Sequence, residues 1–172
     1  MKTKRLVTAA LFLAVGMVLP LLTGQLKQLG NALLPMHLPV MLCGFVCSPL
    51  LGGAVGLILP FLRSAVFGMP PFYPNCIWMA LELATYGLTA GVLYRHCFKK
   101  QLFWCYLSLI ISMLAGRVVW GIAKALLLGV GQDAFTLSAF ISGGFLTALP
   151  GIILQIIVIP PLVRALDKRL SL

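Results

Sequence analysis

Four charged side chains fall inside long apolar runs of the sequence: Arg63, Glu82, Arg117 and Lys124. A charge at the centre of a membrane-spanning helix costs roughly 3 kcal/mol on insertion, so such groups are functional candidates by default. Arg117, Trp120, Gly121 and Lys124 follow i, i+3, i+4, i+7 spacing and so share one helical face. That face offers two cations, an aromatic ring and a gap. With Arg63, three cationic groups stand against the Glu82 carboxylate. The excess suits a ligand with an anionic or strongly hydrogen-bond-accepting part. A structural alternative stands beside it. Lys124 and Arg63, if near a membrane surface, can extend their heads to water, and Glu82 and Arg117 can form one ion pair.

Several chemistries are disfavoured. The chain has no G-x-x-x-x-G-K-[ST], H-E-x-x-H or G-x-S-x-G, so it carries no ATPase, zinc-protease or serine-hydrolase signature. Its three acidic residues leave little for a two-metal site or a carboxylate dyad, and no cofactor or metal is expected. Cys43 and Cys47 share a helix face, but no C-x-x-C or paired histidines accompany them, which favours packing over metal or redox chemistry.

The elements that position these groups follow from composition. Of 172 residues, 61% are hydrophobic and 9% charged, against roughly 25% charged in a soluble domain. The natural solvent is lipid. A span needs roughly 20 apolar residues, which lets this length hold about six and no separate soluble domain. We therefore read residues 1–172 as one all-α transmembrane domain. The net charge of +10 could suggest nucleic acid. The basic residues instead cluster between apolar runs: Lys2, Lys4 and Arg5; Arg95, Lys99 and Lys100; Arg164, Lys168 and Arg169. That is a cytoplasmic-loop pattern, with no nucleic-acid motif.

The apolar stretch Leu6 to Leu26 is longer than a usual signal core and reads as a retained first span. Later spans fall at about 75–95, 102–128 and 138–163. Region 37–67 is one long span or two short ones broken near Ser48-Pro49. Charge decides. With one span, the inside holds Lys2, Lys4, Arg5 and Arg63, while Lys27 and the other two basic clusters lie outside. With two, all three clusters lie inside and Lys27 alone lies in an outer loop. The positive-inside rule favours six spans with both termini cytoplasmic. The second helix then has about 12 residues, or roughly 18 Å, too short to cross unaided. It must be tilted, shielded or preceded by a loop that enters the protein body. Pro20 and Pro150 are expected to kink the first and last spans. Ala10/Ala14, Gly52/Gly56 and Gly87/Gly91 have the spacing that lets helix backbones approach closely.

This topology sets depths. Arg63 lies about one turn below the outer surface. Glu82 lies seven residues beyond Asn75, roughly 10 Å deep at the helical rise. Arg117 lies eleven residues before Leu128, roughly 16 Å down, and Lys124 near the outer end. All four occupy the outer half or the middle, which describes a polar pocket open to the outside. His37, at the outer end of the second helix, suits capping or ligand contact equally. Asn75, Gln132 and Asp133 lie in outer connections and can line the entrance. Gln155 falls below the pocket and is expected to bond another helix.

Four stretches carry a family resemblance: Met36-His37-Leu38-Pro39-Val40-Met41-Leu42-Cys43-Gly44-Phe45; Pro60-Phe61-Leu62-Arg63-Ser64 continuing through Phe67-Gly68-Met69-Pro70-Pro71; Met79-Ala80-Leu81-Glu82-Leu83-Ala84-Thr85-Tyr86-Gly87; and Gly116-Arg117-Val118-Val119-Trp120-Gly121. Together they resemble substrate-binding S components of energy-coupling factor (ECF) vitamin transporters, over nearly the whole chain. The resemblance implies a multi-pass subunit of a prokaryotic plasma membrane. It would capture a small water-soluble vitamin or precursor from outside and deliver it inward with a transmembrane coupling subunit and two ATPases. It also implies that Ala10 and Ala14 match the family's Ala-x-x-x-Ala contact to the coupling subunit. Substrate contacts would come from Arg117, Glu82, Lys124, Arg63, His37, Asn75 and Trp120. Pantothenate, with a carboxylate for Arg117 or Lys124, and hydroxymethylpyrimidine or pyridoxine-type compounds, suited to Glu82, Asn75 and Trp120, are the favoured substrates. The rival readings are a non-catalytic membrane assembly subunit and a small intramembrane enzyme. The second would need a nucleophile, base or metal cluster that the sequence does not display.

Overall fold

The computed structural model describes residues 2–23, 32–97, 102–129 and 136–170. These residues are helical and contain no strand. Five helices among them are long and apolar enough to cross a membrane: Thr3–Leu21, Pro49–Phe67, Phe72–Arg95, Leu102–Leu128 and Leu149–Lys168. Two shorter apolar helices, His37–Val46 and Leu137–Leu146, accompany them. The protein is a multi-pass membrane protein.

The α-helical segments are α1 (Lys2–Val18), α2 (His37–Val46), α3 (Pro49–Phe67), α4 (Ile77–Val92), α5 (Leu102–Leu128), α6 (Leu137–Ile141) and α7 (Leu149–Leu170). The break expected near Ser48-Pro49 is present. Ser48 accepts a hydrogen bond from the Leu51 amide at 3.1 Å and Pro49 opens α3. A side-chain N-cap followed by proline is a strong helix start. Gly68 closes the same helix with a φ of 67°, a left-handed conformation open to glycine at little cost. The ten-residue α2 is buried at every position except Leu38. Its neighbours cover it on all sides, so its shortness exposes no backbone to lipid.

Two boundaries differ from expectation. The last long helix begins at Leu149 rather than near residue 138, after α6 and a wide turn at Ser142–Leu146. Pro150 therefore lies in the first turn of α7, where the amide it lacks would be unpaired anyway, and introduces no mid-span kink. At the other end of the chain, α1 stops at Val18 and tightens into a 3-10 turn, Leu19–Thr23, that contains Pro20. Proline has no N–H, so the Met17 carbonyl lacks its three-residue partner. Arg63 supplies the donor, its Nη1 lying 2.6 Å from that oxygen. Arg95 does the same for α2, donating to the carbonyls of Phe45 and Val46 in its last turn. Each arginine is a cation at a helix C-terminus, where the backbone dipole favours it.

A glycine seam holds α2, α3 and α4 together. A Cβ built at Gly44 would lie 2.3 Å from the Gly87 carbonyl oxygen. One at Gly87 would lie 2.3 Å from Gly52, and one at Gly56 would lie 2.4 Å from the Leu83 oxygen. The obstacles are backbone atoms, which cannot move aside as a side chain can. In a membrane, where apolar surface gains little by leaving lipid, such close contact is a principal source of helix affinity. Below the seam, a continuous core of Val40, Met41, Phe45, Leu59, Leu83, Leu109, Ile159 and Val163 ties α2 to α3, α4, α5 and α7. Cys43, Cys47, Cys76 and Cys105 are buried free thiols, in keeping with packing.

Gly87→Val should destabilise the protein by at least the 1–3 kcal/mol typical of overpacking, read as an earlier thermal unfolding transition in detergent. Gly143→Ala is the control, because its new methyl meets one atom at an ordinary 3.5 Å, and its transition should stay within error of the parent.

Candidate functional site

The seam fixes the approach of α2 and α4, and with it the meeting of two polar side chains. His37 is the first residue of α2, and Glu82 lies mid-way along α4. Both are almost wholly buried. The Glu82 Oε1 atom accepts from Arg117 Nη1 at 2.8 Å and from the Tyr86 hydroxyl at 3.0 Å. His37 Nε2 lies 3.5 Å from the same oxygen. The His37 and Tyr86 rings are tilted against each other with centroids 5.1 Å apart. Gly116, beside Arg117, leaves room for the Tyr86 ring: a Cβ there would lie 2.5 Å from it.

This is a buried ion pair with Tyr86 and His37 crowded on the same carboxylate oxygen. An isolated carboxylate could not stay charged in such surroundings, and Arg117 with Tyr86 compensates it. Compensation is incomplete on the other side. Among the described residues, Arg117 Nη2 and His37 Nδ1 are buried without a hydrogen-bond partner. Buried polar groups are nearly always paired, so orphan nitrogens on two side chains that both approach Glu82 ask for an explanation. A ligand acceptor is one.

Next along α5 is an aromatic layer. The Arg117 guanidinium lies 5.9 Å from the Trp120 ring. The Lys124 ammonium lies 4.7 Å from Trp120 and 5.3 Å from Trp78, distances at which a cation is attracted to the π face. Trp78 and Trp120 are both buried and pack with Phe140 and Met79. The gap expected at Gly121 is filled, since a Cβ there would meet the Phe140 ring at 2.5 Å. Asn75 is half-buried in the turn Phe72–Cys76, three residues before Trp78 on the way into α4.

With this geometry in view, comparison with known families decides the class. Residues 4–163 match the model of the ECF transporter substrate-specific component. The chain belongs to that family. No curated protein and no solved structure matches it. An S component is a substrate-binding subunit that works with a coupling subunit and ATPases and does not itself hydrolyse ATP.

The expected site residues of this S component divide into two groups. Arg117, Glu82 and His37 converge within hydrogen-bonding range, and Trp120 and Lys124 adjoin them. Arg63 is engaged elsewhere, capping α1 with its guanidinium 5.1 Å from the Phe67 ring. Gln132 and Asp133 lie outside the described residues. Two participants went unread in the sequence, Tyr86 and Trp78. Both sit four residues from Glu82 on α4, and i, i+4 neighbours share a helix face, so spacing alone could have found them. Gln155 also departs from expectation. It is 1% exposed, and neither carboxamide atom has a partner among the described residues.

Arg117→Met leaves the Glu82 carboxylate buried without its counter-charge and should cost about 3–5 kcal/mol of stability. Adding Glu82→Gln should recover most of that loss. Thermal unfolding of the two single variants and the double in detergent measures the coupling, and strictly additive losses would show that the pair contributes nothing.

Proposed function

We propose that this chain captures a small water-soluble vitamin or vitamin precursor from outside a prokaryotic plasma membrane. The bound molecule then passes inward through a coupling subunit driven by two ATPases. The favoured substrates are pantothenate and hydroxymethylpyrimidine or pyridoxine-type compounds. Arg117, Glu82, His37, Lys124, Trp120 and Asn75 form the site, with Tyr86 and Trp78 completing it.

The observation that carries this reading is the unpaired Arg117 Nη2 beside the paired Nη1. One nitrogen holds the guanidinium in place through Glu82, and the other is free to donate to a ligand oxygen or ring nitrogen. A charge-assisted donor already held in position loses little freedom on binding. The tryptophans offer flat faces on which a small ring can stack.

Six crossings with both termini cytoplasmic remain the topology we favour. Lys4, Arg5, Arg95, Arg164 and Lys168 then share the cytoplasmic side, as the positive-inside rule asks. The whole chain acts as one domain in this reading. On α1, Ala9, Phe12 and Gly16 face the interior, while Ala10 and Ala14 are exposed among Leu6, Val7, Leu11 and Val18. An outward apolar face with two small residues one turn apart suits a helix of the coupling subunit.

Purified alone in nanodiscs, the protein should bind one member of a vitamin panel with nanomolar affinity and no ATPase partner. Ligand at about 100 times its Kd should stabilise it by about 2.7 kcal/mol, seen as a thermal shift and confirmed by calorimetry. No binding across the panel by folded protein would refute the capture role. Replacing both Ala10 and Ala14 by leucine should leave that binding intact and reduce uptake by the assembled transporter. Normal uptake would remove them from the coupling contact.

A further inference from the structure

Gln155 has no role in the ion-pair cluster as described, yet its environment is unusual. Its carboxamide is almost wholly buried, and both Oε1 and Nε2 lack a partner among the described residues. A primary amide brings two donor hydrogens and an acceptor oxygen, and enclosing all of them unpaired is unfavourable. Helix propensity gives no reason for glutamine here, because leucine or methionine would serve equally well.

Its place in the fold is defined by its neighbours. Gly151, Gln155, Ile159 and Val163, preceded by the buried Ala148, form the buried stripe of α7. At Gly151 this stripe lies against the segment leading into α2: a Cβ there would be 2.6 Å from the Ala32 oxygen and 2.8 Å from Leu33. Farther along, Ile159 and Val163 share the core with Val40 and Met41 of α2, so the two helices run side by side. One turn of α7 beyond the Gly151 contact lies Gln155, and the segment from Ala32 and Leu33 turns into α2 at His37, whose amide bonds to the Leu34 carbonyl at 3.1 Å. This register sets Gln155 about level with the start of α2, where His37 sits.

We infer that Gln155 is a substrate-specificity residue, and that it reads a hydrogen-bond donor and acceptor lying side by side on one edge of the substrate. The inference rests on the substrate-capture reading and narrows it. A carboxamide presents its C=O and N–H in parallel, the geometry by which glutamine and asparagine grip a donor and an acceptor lying side by side on one edge of adenine. An aminopyrimidine carries the same edge. A trans secondary amide points its N–H and C=O to opposite sides, and a carboxylate offers acceptors alone. Among the favoured substrates, hydroxymethylpyrimidine carries that edge fixed on a rigid ring, whereas pantothenate has donors only at its amide and its freely rotating hydroxyls. Arg117 and His37 remain to engage the pyrimidine's hydroxymethyl oxygen or its other ring nitrogen.

The test compares hydroxymethylpyrimidine with the analogue in which hydrogen replaces the amino group, by calorimetry on the full chain in nanodiscs. The parent protein should prefer the amino compound by about tenfold or more, the scale of one buried polar mismatch. Gln155→Met and Gln155→Leu should bind the amino compound at least tenfold more weakly and lose most of the preference. Both should unfold no earlier than the parent without ligand, since each removes an unpaired amide. Preference retained in a folded variant would overturn the inference while leaving the capture role standing. Parent protein that binds pantothenate and not the pyrimidine would also overturn it alone. Parent protein that binds no member of the panel would overturn both.

Discussion

Glu82 is the constraint on which the rest of the site depends. A carboxylate buried among membrane-spanning helices must be neutralised by the protein, since neither water nor lipid can do it. Arg117 supplies the charge from α5, Tyr86 a hydroxyl from α4, and His37 stands close by at the start of α2. Three helices are thereby held in register around one oxygen. A pair of this kind is weak evidence for stability, because desolvation offsets most of the attraction. Its value here is positional: it holds Arg117 with one nitrogen engaged and the other unpaired.

That arrangement is possible because the helices can approach. Gly44, Gly52, Gly56, Gly87 and Gly91 omit Cβ atoms that would strike the backbone of a neighbouring helix among α2, α3 and α4. Loosening the seam would draw His37 away from Glu82 and expose α2, which is too short to shield its own ends. The two helix-capping arginines complete the frame. Arg63 and Arg95 close the carbonyl ends of α1 and α2, so the frame satisfies its backbone with side chains distant in sequence.

Much of the frame was legible in the sequence. The Ser48-Pro49 break carries its own cap, the Gly seam its spacing, and the Leu102–Leu128 helix its uninterrupted hydropathy. The pairing of Glu82 with Arg117 is one of two readings the sequence leaves open, and Arg117, Trp120 and Lys124 do share one face of α5. What escaped depends on long side chains reaching across the fold. Arg63 looked like a pocket cation because nothing local shows that Pro20 leaves the Met17 carbonyl unpaired. Arg95 looked like a loop charge, although its guanidinium turns inward to α2. The start of α7 was misplaced because Leu137–Leu146 is as apolar as a span and is too short to be one. Gln155 was read as a bond between helices, a default that fails only when every neighbour is known.

The central claim is that substrate binds at the Glu82–Arg117 cluster beneath Trp120. Trp120 fluorescence tests it most directly, in protein where Trp78 and Trp104 are replaced by phenylalanine. Titration with the substrate should change Trp120 emission saturably, with the same Kd as calorimetry on that protein. Full calorimetric binding with no change in Trp120 emission or quenching at saturation would place the substrate elsewhere and contradict the account.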